Sequence, residues 1–453
     1  MALKRRQGAG EGIATTALVD EVGRRSLPLH DSQDLDSLLA LVGDSHFVLL
    51  GEASHGTSEY YSWRHRLSER LIREKGFSFI AVEGDWPDCY RVNRYVRGFQ
   101  NSGRNAREVL HAFNRWPTWM WANLEVVELA EWLRAHNEKL PETEQVGFYG
   151  LDVYSLWDSM RAVIGYLSRM DGQAVGAALR AFECFEPYGE DVQQYARATM
   201  WVPETCEDEV VGLLRELRQS GLGYDPPQRA GSDGRESYFN AEQNALVAKN
   251  AERYYRTMVR GGASSWNVRD GHMVETLERL MRRHGPGAKA IVWEHNTHIG
   301  DARATDMREQ GEVNVGQLVR EEHGEDDVVL VGFSSHRGTV IAGESWDAPM
   351  EIMDVPPGRA ESWEDVLHRA GEENKLLLLR DTPRASPMYE ERGHRAIGVV
   401  YHPEYERHGN YVPSVMPRRY DALLFIDESH ALHPLHIEPA AVEEVPETYP
   451  TGV

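Results

Sequence analysis

Short apolar runs alternate along the chain with longer stretches whose apolar residues recur every three or four positions. Residues 47–51, 77–82, 146–151, 290–293, 328–333, 375–379, 396–400 and 422–426 read as strands. They lack the polar alternation of a strand with one wet face, so both of their faces are expected to be covered. Between them, Tyr60, Trp63, Leu67 and Leu71 fall at helical spacing, and Val247, Ala251, Tyr254 and Met258 mark a long helix near residues 237–259. Strands alternating with helices predict an α/β fold, a mostly parallel sheet flanked by helices.

Residues 155–285 show no strand pattern. They predict a large helical insertion, or lid region, between the third and fourth strands, forming a cleft over the strand ends. The expected division is a flexible N-terminus (1–20), a first part of the α/β core (21–154), the insertion (155–285), a second part of the core (286–437) and an acidic tail (438–453). The polar stretch 221–234 predicts a long loop. Residues 350–359, with Pro356-Pro357-Gly358, predict a connector.

Composition narrows the class. Asp and Glu number 72 against 49 Lys and Arg, a formal charge of −23. That excess repels nucleic acid and anionic membrane surfaces, so neither is expected as a partner. With 41% hydrophobic residues the chain is rich enough to fold as a globule. No apolar run approaches the roughly 18 residues that cross a bilayer. The basic start is not followed by an apolar segment, which predicts no signal peptide. Cys89, Cys184 and Cys206 are odd in number and form no C-x-x-C pair, which predicts no disulfide framework and a reducing, cytoplasmic location.

The chemistry gathers after the strands. The first runs into Gly51-Glu52-Ala53-Ser54-His55-Gly56, the second into Glu83-Gly84-Asp85-Trp86-Pro87, the third into Asp152, and the fourth into Glu294-His295-Asn296-Thr297-His298. The carboxyl ends of parallel strands form the ligand crevice of open α/β sheets, so Glu and His residues from four strands are delivered to one rim. His55 precedes a helix, whose positive end keeps an imidazole neutral, as a general base requires. Glu52 is placed to hold its other nitrogen. Arg64 shares a helix face with Tyr60, Leu67 and Leu71, so it points inward and needs a carboxylate such as Glu52 or Glu83; it is also a candidate oxyanion stabiliser. The spacing of His295 and His298 suits metal binding, oxyanion stabilisation or proton transfer. Trp116 and Trp119 are candidate walls of an apolar pocket.

Stock nucleophile and nucleotide motifs are missing. There is no G-x-S-x-G and no Walker A sequence, and Gly285-x-Gly287-x-x-Ala290 precedes a strand instead of following one. Histidines and carboxylates without a Ser or Cys nucleophile imply that water attacks, deprotonated by His or bound to a metal.

These residues resemble the erythromycin esterase family, including its branch named for succinoglycan biosynthesis. The resemblance spans residues 48–425. It rests on Gly51-Glu52-Ala53-Ser54-His55-Gly56, Arg64, Glu83-Gly84-Asp85, Tyr149-Gly150-Leu151-Asp152, Arg269-Asp270-Gly271-His272-Met273 and Trp293-Glu294-His295-Asn296-Thr297-His298. It implies an α/β core with a helical cleft and metal-independent hydrolysis, with no cofactor, of a macrolide lactone or similar small-molecule ester. His55 would be the general base; Glu52, Glu83, Arg64, His295 and His298 would complete the catalytic set; Asp152, Arg269, Trp116 and Trp119 would contact substrate. Two other readings of the same cluster stay open: a metal-dependent hydrolase, and a non-catalytic protein binding haem or a glycan precursor.

Overall fold

In a computed structural model the described residues are 15–170, 175–188, 192–200, 205–223, 232–259 and 263–436. The strands among them are β1 (Leu27–Pro28), β2 (Phe47–Leu50), β3 (Phe79–Asp85), β4 (Gly147–Asp152), β5 (Ala290–Trp293), β6 (Val328–Gly343), β7 (Met350–Val355), β8 (Lys375–Leu378), β9 (Arg392–Arg395), β10 (Tyr411–Ser414) and β11 (Ala422–Ser429). Nine form one sheet in the order β1-β8-β11-β6-β2-β5-β3-β4, with β7 paired to β6. The run β11-β6-β2-β5-β3-β4 is parallel throughout; β1, β7 and β8 are antiparallel to their neighbours.

Burial on both faces explains the unbroken apolar strands. In β2, Val48 and Leu50 enter one core while Phe47 and Leu49 enter the other; in β3, Ile80 and Val82 oppose Phe79 and Ala81 in the same way. The helices used below are α1 (Ser58–Lys75), α2 (Trp86–Val96), α3 (Leu156–Met170), α4 (Val175–Phe185), α5 (Glu207–Gly223), α6 (Ser232–Met258), α7 (Ser264–His284), α8 (Asn296–Ile299) and α9 (Val315–His323). Helix α1 buries the stripe Tyr60, Trp63, Arg64, Leu67 and Leu71, and ends at Gly76 in the left-handed region (φ 71°).

The described part of 155–285 contains helices and no strand. Helices α3 to α6 share an apolar cluster of their own, including Met160, Val163, Leu213, Leu217, Ala245 and Tyr254. Helix α7 instead lays Met273, Leu277 and Leu280 on the sheet.

Several expectations need correction. Residues 396–400 form no strand: their backbone pairs through isolated bridges at Ile397 and Val400 instead of a ladder, and the strand lies just before them as β9. The connector expected at 350–359 begins as β7, hydrogen-bonded along the far half of the long strand β6. The loop expected at 221–234 is helical at both flanks, α5 reaching Gly223 and α6 starting at Ser232; its middle lies outside the described residues, as do the acidic tail and residues 1–14. Cys184, at the end of α4, is disulfide-bonded to Cys206, just before α5. Spacing alone could not show that pairing, and the cysteine argument for a reducing compartment falls with it. Among the described residues no helix is long and apolar enough to cross a membrane.

Candidate active site

The four strands expected to share a rim are neighbours in the sheet, in the order β2-β5-β3-β4. Two devices shape their ends. A bulge in β3 breaks its register with β4 between Val82 and Asp85, which re-aims Glu83. The backbones close so tightly there that a Cβ on Gly150 would lie 2.3 Å from the Gly84 carbonyl oxygen.

One hydrogen-bonded chain starts at α1. Arg64 is fully buried between the rings of Tyr61 (4.3 Å) and Trp293 (4.7 Å) and donates through Nη2 to Glu52 Oε2 at 2.7 Å. Glu52 Oε1 lies 2.9 Å from His55 Nδ1. A carboxylate accepts only, so Nδ1 carries the proton and Nε2 keeps its lone pair. His55 is buried but lines a cavity of about 80 Å³. Burial is the largest influence on its pKa and pushes it down. The charges of Glu83 and Glu52 and the hydrogen bond that His55 donates to Glu52 outweigh it, leaving the pKa raised.

A second chain centres on Arg269 of α7. Its Nε and Nη2 grip Asp152 (3.0 and 2.7 Å), Nη2 also reaches Glu83 Oε1 (2.7 Å), and Nη1 donates to His298 Nε2 (3.0 Å). His298 in turn gives Nδ1–H to Asp270 (3.0 Å), which also accepts the backbone N–H of Val315 at the start of α9. The His298 ring stacks flat on Trp266 at 4.5 Å. Burial alone would raise the Glu83 carboxyl, but His298, His55, Arg269 and the His295 backbone N–H pull its pKa down, so it is a carboxylate.

His295 joins the two chains. Its backbone N–H donates to Glu83 Oε2 at 2.8 Å, and its ring sits 4.9 Å from that of His55. As N-cap of α8 it accepts from the Thr297 N–H through Nδ1, which places its proton on Nε2. Burial, then the neighbouring His55, holds its pKa well below the ordinary value, so it is neutral.

His55, Glu83, Asp152, Arg269 and Trp116 all line the cavity. Glu52, Arg64, His295 and His298 stand behind that lining, and Trp119 packs edge-on against Trp116 at 5.3 Å without being part of it. Sequence reasoning did not single out Asp270, Tyr154 or Trp346, the last two of which line the cavity. Nor did it single out Glu294, which is fully buried with neither carboxyl oxygen hydrogen-bonded. Burial, then Glu83 and Asp270, pushes the Glu294 pKa far up, so it is a neutral acid. His272, part of the quoted motif, points to Asn250 instead (2.8 Å).

The donors do not converge as a metal site requires. Among the described residues, three donor side chains within 4.8 Å of one another occur at Glu278, Glu322 and His323, not among Glu52, His55, Glu83, His295 and His298. Their carboxylate oxygens are instead turned to Arg64, Arg269 and ring or backbone N–H groups.

A buried histidine held by a carboxylate thus stands at the strand ends of an α/β sheet and faces a cavity. The chain belongs to the erythromycin esterase family, whose model matches residues 72–429, and that membership implies hydrolysis of an ester bond. It is 22% identical over 375 residues to the erythromycin esterase type II of Escherichia coli, covering 79% of this chain and 86% of that one. Among solved structures, a succinoglycan biosynthesis protein superposes with a TM-score of 0.73 at 19% identity, covering 92% of this chain and 98% of that one. An erythromycin esterase with a histidine-to-asparagine substitution, in its open conformation, gives 0.63 at 17% identity, covering 89% and 97%.

Proposed function

We propose that this protein hydrolyses a bulky, partly apolar ester, a macrolide lactone or a related small molecule, with water as the nucleophile and His55 as the general base. The observation that carries this reading is the placement of His55: Nδ1 is tied to Glu52 at 2.9 Å while the ring borders the cavity. Arg64 anchors Glu52 from behind, and so acts through it rather than on the substrate. Glu83 faces the imidazolium that forms when His55 takes the proton. The aromatic side of the cavity, with Trp116, Trp121 and Trp346, suits an apolar acyl or ring portion.

The test is incubation with a panel of macrolides and simpler esters, followed by mass spectrometry for the gain of one water. His55→Ala is expected to lose about 10²–10⁴-fold in turnover, the usual worth of general-base assistance, with its circular dichroism unchanged. Full turnover in that variant overturns the assignment. Binding of a panel member without turnover by the wild type would favour a carrier instead.

A further inference from the structure

The proposed reaction needs a donor for the negative charge that develops on the ester carbonyl oxygen. Of the cations in the first chain, Arg64 bonds Glu52 through Nη2 and lies fully buried behind it, without bordering the cavity. His298 does not border it either, and both of its ring nitrogens are engaged, Nδ1 with Asp270 and Nε2 with Arg269. Two cations line the cavity, Arg115 and Arg269, and Arg115 forks onto Asp85 through Nε and Nη2.

Arg269 is different. A guanidinium has five N–H groups. In Arg269, Nε–H and one Nη2–H go to Asp152, the second Nη2–H to Glu83 and one Nη1–H to His298, which leaves one Nη1–H. The four bonds fix the plane of the group, and Asp270 fixes the His298 tautomer that accepts the fourth. A buried donor held this rigidly costs no reorganisation when charge appears beside it.

Resting on the water-activation reading above, we propose that Arg269 is the oxyanion donor of this site, through the Nη1–H not used in its clamp. Water oxygen bonds to the carbonyl carbon as its proton passes to His55 Nε2, and the C=O π pair moves onto the carbonyl oxygen, which accepts from Arg269. Collapse re-forms C=O and breaks the ester C–O bond, and the departing alkoxide takes the proton from His55 Nε2. Asp270 and His298 are positioning residues in this scheme.

Two measurements test it. With any ester that the wild type turns over, Arg269→Ala is expected to lose about 10²–10³-fold in kcat with little change in KM, and added millimolar guanidinium chloride is expected to restore part of it. Arg269→Lys, which keeps a charge but not the fork, is expected to recover less than guanidinium does. Separately, calorimetry with methylphosphonate, a tetrahedral oxyanion, is expected to show binding to the wild type and to His55→Ala but not to Arg269→Ala, each checked for folding by thermal melting. Unchanged kcat in a folded Arg269→Ala, no guanidinium rescue, or methylphosphonate binding that is absent from the wild type or survives Arg269→Ala overturns the proposal. Full turnover in His55→Ala would instead strike the water-activation reading, and the anion measurement would still decide Arg269.

Discussion

His55 and Glu294 are both buried ionisable groups, and the same physics drives them to opposite uses. At His55 two carboxylates outweigh burial, so its folded pKa lies above the ordinary value of about 6.5. The imidazolium form therefore contributes stability that is complete below about pH 6.5 and is lost as pH rises through the folded pKa. The proposed catalysis runs the other way, because only the neutral ring accepts a proton from water. The acid limb of kcat/KM is expected to have its midpoint above 6.5. Glu52→Gln removes one of the influences that raise the pKa, so its midpoint should move to lower pH while the plateau falls; a midpoint that stays put or rises in a pH–rate profile contradicts the assignment. Glu294 has no cation bonded to it, and burial with nearby Glu83 and Asp270 keeps it protonated. Its raised pKa makes the native state bind the proton that the unfolded chain releases, so its contribution to stability declines as pH rises above about 4.3. Glu294→Gln, neutral and isosteric, is expected to gain melting temperature over the wild type, and to gain more at pH 8 than at pH 5.

At the scale of elements, the ends of β3 and β4 carry the tightest constraint on the site. A methyl group on Gly150 meets the Gly84 carbonyl oxygen at 2.3 Å, and backbone cannot step aside as a flexible side chain can. Gly150→Ala is expected to cost about 1–3 kcal/mol in urea unfolding and to lower turnover as well, because the bulge beside it aims Glu83. Gly271 in α7 is the control: a Cβ there meets nothing within 4 Å, so Gly271→Ala should be neutral or stabilising by up to about 1 kcal/mol. The parallel core strands were legible because each buries two faces and so writes a continuous apolar run. Strand β7 was not: it alternates exposed Ile352 and Asp354 with buried Met353 and Val355, and is followed by Pro356, which reads as a turn. Residues 396–400 show the converse, an apolar run buried against Ala53 and Gly343 by local bridges rather than by a ladder. The site divides in the same way. His55, Glu83, Asp152 and His295 stand next to strand ends, where position along the chain announces them. Asp270 follows Arg269 on a helix, where adjacent residues do not share a face, and only the fold shows both reaching opposite nitrogens of His298.

The whole molecule adds a field to this local machinery. A net charge of −23 surrounds a cavity whose lining holds the carboxylates Glu83, Asp85, Asp88 and Asp152 against the guanidinium groups of Arg115 and Arg269. Long-range field and local lining thus have the same sign, and both favour a cationic ester over an anionic one while the clamp around Arg269 handles charge only at the carbonyl. Salt separates these contributions. The Debye length falls from about 30 Å at 0.01 M to about 8 Å at 0.15 M, which screens the surface field but not hydrogen bonds inside the cavity. For matched esters of one acyl group, kcat/KM should fall with added salt when the alcohol portion carries an ammonium group, rise when it carries a carboxylate, and stay level when it is neutral, with the charged pair changing by about tenfold. Values of kcat at saturating substrate should be insensitive to salt in all three. Identical salt slopes for the three esters would mean that the acidic surface plays no part in choosing what reaches His55, and that selection rests on the cavity walls alone.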